Sequence, residues 1–399
     1  MHFIPIINMN DYIFFKSWNR DFRLLAFAVC GVGAFFGVHF ALFNNFIVDR
    51  IGIEAHELGY MEALREVPGF LNALFIAIMI RFAPPIVGGL SLIVMGAGMA
   101  AYSQTDSFLG ILIFSFVWSI GFHAWTPLRG AMALAYSEGE QKGKPLGQLR
   151  SLGSLAMLAT IILCMFTVDL LEFKGLFQIG GLIAALGGVA VMFASPQLQA
   201  GKEDRFVLRK RYWLFYLLSF LQGWRKQIFV TFAIFALVKV YDTDRNMIIK
   251  LVLINQVIVF IFSPMMGWLV DRLGERIMLS ASYIGLFFVF IGYAVLKNAT
   301  HLYVLYCIDN FLFVGGIALT TYLNKIAPTR DIKPTLAMGV TMNHIAAVTS
   351  PLVGGLVWMK FDYRLVFIGG AAFALTSLIV TQWMQAQPIM VKVESKFAD

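Results

Sequence analysis

Long runs of apolar residues, broken by short clusters of charge, set the pattern of this chain. Twelve runs reach or approach the roughly 20 residues needed to cross a bilayer as a helix: 22–48, 58–80, 84–103, 108–136, 146–169, 174–195, 211–240, 247–270, 277–296, 301–323, 334–359 and 363–385. The runs are continuous rather than alternating, so helices are expected and a barrel is not. Several exceed 25 residues, which leaves room for tilt. The expected fold class is an all-α membrane protein.

Composition agrees with the pattern. Of the 399 residues, 59% are hydrophobic and 14% charged, against roughly 25% charged in a soluble domain. The mean hydropathy is +0.77. A chain this apolar cannot hide its surface in one water-soluble core, which makes the lipid bilayer the expected partner. The net charge of +8 raises the question of nucleic acid. The cations, however, fall in short clusters between apolar runs, so topology explains them better and no nucleic-acid partner is expected.

Placing the N-terminus inside puts 19 Lys and Arg residues on the inner segments and 8 at the outer ends. Both termini are therefore expected in the cytoplasm, for a bacterial type of chain in the inner membrane. Residues 1–20 lack the basic start of a cleaved signal and read as an interfacial segment. The odd set Cys30, Cys164 and Cys307 lies inside apolar runs without metal-ligand spacing and reads as buried thiols.

The longest polar stretch in mid-chain, SPQLQAGKEDRFVLRKR at 195–211, follows the sixth run. Six runs, a linker and six runs suggest two halves related by a repeat. At an offset of 190 residues Gly33 meets Gly223, Val67 meets Val257 and Phe70 meets Phe260; at 192, Gly147 meets Gly339. The expected division is an N-terminal segment 1–21, a six-helix bundle 22–195, a linker 196–210, a second bundle 211–385 and a tail 386–399, with the bundles pseudo-symmetric.

Between spans 8 and 9 lies GWLVDRLGER, residues 267–276. Gly267 permits close helix approach, Arg272 and Arg276 suit the inner side, and Gly274 eases a tight turn. Asp271 calls for a partner such as a helix N-terminus, whose free N–H groups favour an anion. The pattern Gly267, Asp271, Arg272, Gly274, Arg276 resembles the signature loop of the major facilitator superfamily. Twelve spans, inner termini and a central linker extend that resemblance over the whole chain. It implies a secondary transporter with two rocking bundles around a cavity lined by spans 1, 2, 4, 5, 7, 8, 10 and 11. It further implies that Asp271 meets the start of span 11, expected near Pro334. The corresponding first-half loop is degenerate: Ala77, Arg81 and Phe82 replace Gly267, Asp271 and Arg272. The inner latch is thus expected in the C-terminal half. Pro351, Gly354 and Gly355 in span 11 resemble the family's proline–glycine kink, and read more simply as packing.

Ionisable residues inside spans cost about 2.5–3.5 kcal/mol each at the centre, so each is a site candidate. Glu62, Arg65 and Glu66 share one face of span 2 ahead of Pro68. Glu66, the deeper carboxyl, is the preferred proton carrier, with Glu62 and Asp309 as further candidates; a structural ion pair with Arg65 is the plainer reading. Arg225 and Lys226 lie near the middle of span 7, flanked by Trp224 and Gln227. Adjacent residues point about 100° apart on a helix, so at least one should face inward. They read as an anion-binding centre, or as a fold lock in which one pairs with Glu66 or Asp309. Asn255, Gln256, Asn343, His344, His39 and His123 complete the solute-binding candidates. His344 is also a candidate for proton transfer.

No phosphate-binding loop or metal-enzyme motif is present. The glycines of GVGAFFG in span 1 follow no strand and read as helix packing. No enzyme activity, cofactor or resident metal is expected. The expected function is alternating-access transport of a small polar or anionic solute, coupled to protons, by a monomer. An efflux pump for amphipathic compounds is the alternative, and a non-transporting receptor or scaffold with a carrier fold is the rival from another class.

Overall fold

The computed structural model describes residues 18–71, 82–136, 143–196, 209–314 and 317–384. Within them the structure is helical: α1 Arg20–Asn45, α2 Ala55–Phe70, α3 Pro84–Ala100, α4 Phe108–Tyr136, α5 Gly143–Val191, α6 Trp213–Tyr241, α7 Arg245–Leu273, α8 Glu275–Val295, α9 Ala299–Val314, α10 Ile317–Ile326, α11 Thr329–Lys360 and α12 Tyr363–Thr381. The interfacial segment expected over 1–21, most of the 196–210 linker and the 386–399 tail lie outside the described residues.

Eight helical stretches among the described residues are long and apolar enough to cross a membrane. The chain is therefore a multi-pass membrane protein, helical throughout its described elements. The helices that fall outside those eight, α2, α6 and α7, hold Glu62, Glu66, Arg225, Lys226, Asn255 and Gln256.

Local chemistry sets the ends of the elements. Asn19 caps α1 by accepting from the Phe22 N–H at 2.9 Å, and Glu54 and Glu57 form a capping box at α2. The expected spans 5 and 6 form one element, α5, broken at Glu172, whose φ of 53° and ψ of −176° fall in a region favouring glycine.

Two expectations about element boundaries change. GWLVDRLGER is not a ten-residue loop: α7 stays helical through Leu273, and Gly274, at φ 84°, is the single residue between α7 and α8. A glycine there turns the chain without the steric cost of a Cβ, so the four charges ride on helix ends. Span 11 starts at Thr329, five residues before Pro334, because Pro328 takes the cap position with extended geometry.

The chain forms two compact units, Met1–Glu203 with Val238–Gln256, and Asp204–Leu237 with Val257–Asp399. In the first, α5 packs on α1 and α3 through glycines. A Cβ on Gly33 would lie 2.3 Å from the Gly153 carbonyl oxygen, so GVGAFFG serves backbone approach. The 238–256 segment is held there by Lys239 on Glu54 at 2.8 Å, by the Asn45 amide donating to the Thr243 carbonyl at 3.2 Å, and by Arg245 on Asp169. In the second unit Tyr212, Phe215, Leu218, Leu279, Leu286, Leu319 and Leu323 form the core. There Gly354 faces the Phe232 ring, which a Cβ would meet at 2.4 Å. α11 runs unbroken through Pro351, so the PLVGG segment packs against α6.

Candidate functional site

In the first unit the polar residues of α2 and α4 meet. Glu62 is buried and ion-paired with Arg65 one turn later on α2. The Arg65 guanidinium lies over the Trp118 ring, 5.2 Å from its centroid. Trp118 Nε1 donates to the Tyr102 hydroxyl at 2.6 Å, which lies 2.7 Å from Ser115 Oγ. Glu66 extends to the other side. Its Oε2 is 3.9 Å from His123 Nε2, and His123 Nδ1 is 3.0 Å from Ser119 Oγ. Ser119 in turn donates to the Arg65 carbonyl. Pro68, inside α2, has no N–H to give the preceding turn, and a hydroxyl from α4 supports the backbone just ahead of it.

This network contains two carboxylates, one guanidinium and one imidazole; Glu66 and His123, 3.9 Å apart, are close enough for the charge of one to act on the other, while Arg65 balances Glu62. His39 stands beside it among rings, stacked on Phe43 at 4.5 Å and edge-on to Trp118 at 5.2 Å. Its Nδ1 is buried without a hydrogen-bond partner.

The second unit treats its charges differently. Arg225 is 1% exposed and lies 3.4 Å from Asp309, itself 7% exposed, on α9. Phe313 caps both cations of α6: its ring centroid is 5.7 Å from the Arg225 guanidinium and 5.6 Å from Lys226 Nζ. Lys226 is exposed. The two neighbours thus diverge as helix geometry requires, with Arg225 inward. Trp224 stacks on Phe373 at 4.9 Å, which commits its ring to packing between α6 and α12. Arg225 Nε and the Tyr283 hydroxyl are buried without partners.

Asn255, in the first unit, is buried with neither amide atom bonded, and Gln256 is half-buried. Asn343 donates to the Gly339 carbonyl at 3.1 Å and packs against Gly223, where a Cβ would come within 2.7 Å of its Oδ1. His344 is half-buried one residue on. Of the gate motif, the side chains of Gly267 and Asp271 lie outside what is described. Arg272 is exposed, and Arg276 donates twice to Gln382 Oε1, at 3.2 and 3.0 Å. The expected meeting of Asp271 with span 11 is therefore not described.

A different acid occupies the start of α11. Asp331 is fully buried and ion-paired with Arg209 at 2.8 Å and with Arg211, while the Tyr212 hydroxyl donates to it at 2.7 Å. Nearby, Lys325 meets Glu275 at 2.8 Å. Sequence reasoning missed Asp331. The available signal was an acid in the first turn after Pro328, where a helix dipole favours it, within the otherwise basic stretch KIAPTRDIK.

The model of the Major Facilitator Superfamily matches residues 25–333 and 215–396. The chain belongs to the major facilitator superfamily. As a superfamily member it is a transporter and not an enzyme. No curated protein sequence matches it significantly. Solved structures share the fold. A mutant form of the nucleoside transporter NupG aligns with a TM-score of 0.77 at 14% identity, over 92% of this chain and 100% of that one. A bacterial homolog of the human lysosomal transporter Spinster, inward-facing and occupied, aligns with a TM-score of 0.74 at 13% identity, over 91% and 96%.

Proposed function

We propose that this superfamily member is a proton-coupled secondary transporter of a small polar or anionic solute, working by alternating access. The observation that carries the reading is the Glu66–His123 pair, two proton-binding side chains on α2 and α4 at 3.9 Å. Ionisable groups are costly in spans and are kept there for use. Lys226, exposed on α6, is the preferred anion contact, and Arg225 with Asp309 is the lock that holds α6 to α9. Asn343 and His344 on α11 remain solute contacts in this proposal, as do Asn255 and Gln256 on α7.

The proposed topology has twelve spans. α5 supplies two by turning at Glu172, and α9 with α10 forms one. Six spans on either side of the linker make two bundles, and the protein is a monomer in a bacterial inner membrane with both termini cytoplasmic. A reporter inserted at Lys202 tests this directly: it should read cytoplasm, and an external reading would overturn the topology. Nucleosides head the solute screen because a protein of the same fold carries them, followed by organic anions. The test is uptake into proteoliposomes with and without an imposed pH gradient; uptake indifferent to that gradient would remove proton coupling.

The runner-up, efflux of amphipathic compounds, has its own observation. Phe36 joins Phe40, Trp118 and Phe122 in a ring cluster on α1 and α4, with centroids 5.0–6.2 Å from it.

A further inference from the structure

The end of the second unit where α6 and α8 begin and α12 finishes has three features in one place. First, α8 and α12 pack together, with Tyr293 on Phe367 at 4.7 Å, and expose apolar residues along their length. On α8 these are Ile277, Ile284, Phe288 and Val295; on α12 they are Ile368, Leu375 and Ile379. Spacings of seven and four keep each set on one helix face. Second, this face ends in two indoles. Trp213 is 51% exposed and Trp383 57%, with ring centroids 5.8 Å apart. Trp383 continues the α12 series four residues past Ile379.

Third, cations stand at the same level. Arg276 is exposed and held beside Trp383 through Gln382, whose own amide donates to Ser280 Oγ at 3.0 Å. Among the described residues Gln382 takes two of the five guanidinium donors of Arg276. Lys210 is exposed one turn before Trp213. Among the described residues two acids near these cations are engaged: Asp331 by Arg209 and Arg211, and Glu275 by Lys325.

We propose that this corner binds the phosphodiester headgroup of an anionic phospholipid, with its acyl chains along the exposed face of α8 and α12. Exposed indoles mark the level of lipid headgroups, and cations there attract anionic lipid. A free phosphate would use the cations but has no use for the apolar face or the indoles. The proposal rests on the functional reading only for the leaflet, which the topology makes the inner one.

The test uses full-length, delipidated protein in detergent and counts bound lipid by native mass spectrometry, with phosphatidylglycerol against phosphatidylcholine. Phosphatidylglycerol should be preferred. At about fivefold per cation, Arg276→Gln with Lys210→Gln should lose about 25-fold of that affinity. Arg276→Lys should keep most of it, and Lys297→Gln with Lys360→Gln, away from this corner in sequence and on other helix ends, should change nothing. Trp213→Leu with Trp383→Leu should also weaken retention while every charge remains. Equal binding of the two lipids, unchanged affinity in Arg276→Gln with Lys210→Gln, or full competition by soluble glycerol phosphate would overturn the proposal. The readout is lipid retention, so a failure to find transport leaves this result standing.

Discussion

In the first unit the charged side chains of α2 and the polar residues of α4 reach one another through hydroxyls and rings. Glu62, Arg65, Trp118 and Tyr102 form one arm; Ser119, His123 and Glu66 form the other. In the second unit Arg225 and Asp309 face each other with almost no exposure, under Phe313. A branched network can lose or gain a proton and still be satisfied by a neighbour. An isolated buried pair cannot, because either partner alone is an uncompensated charge. On the proposed function, the comparison separates two roles for residues that look equivalent in a hydropathy plot: ionisable groups kept for chemistry, and ionisable groups kept for specificity of packing.

The largest expected effect lies in the second unit. Arg225→Gln or Asp309→Asn alone should cost about 3–5 kcal/mol, and the double substitution should recover much of it. Melting temperatures of the two singles and the double decide this. A double mutant as unstable as the sum of the singles would mean that the pair is no lock. Next, Lys226→Gln should weaken binding of an anionic solute about tenfold while leaving the melting temperature near wild type, since a charge-assisted hydrogen bond is worth roughly 1.5–3 kcal/mol. Loss of stability with full affinity would assign Lys226 to packing against Phe313. The smallest effect belongs to Ser119→Ala, which removes a hydroxyl from a connected network and should cost about 1 kcal/mol. Its use is as a control: if it destabilises as strongly as Arg225→Gln, the first unit's network is a lock as well.

Much of the fold was legible in the sequence because apolar runs are long and charge interrupts them at their ends. The run 108–136 coincides with α4, Phe108–Tyr136, and 211–240 with α6 to within two residues. The identity of the family was legible in five residues of GWLVDRLGER. Boundaries set by single residues were not. Gly274 ends α7 where a polar loop was expected, and Thr329 begins α11 well before Pro334. In both cases hydropathy falls before the helix does, since helix ends at a membrane surface are polar. Of the site, the divergence of Arg225 and Lys226 followed from 100° per residue, and Asp309 was already one of two named partners for that pair. The clamp of Asp331 by Arg209, Arg211 and Tyr212 was not legible, because it joins residues about 120 positions apart and no periodicity reports such a contact.

The most direct test of the central contrast is Glu66→Gln in proteoliposomes, which keeps the side chain's shape and removes its proton chemistry. With an inward proton gradient imposed, the variant should lose accumulation of solute above equilibrium while still exchanging labelled for unlabelled solute across the membrane. Accumulation equal to wild type would contradict the account, since the first unit's network would then carry no proton.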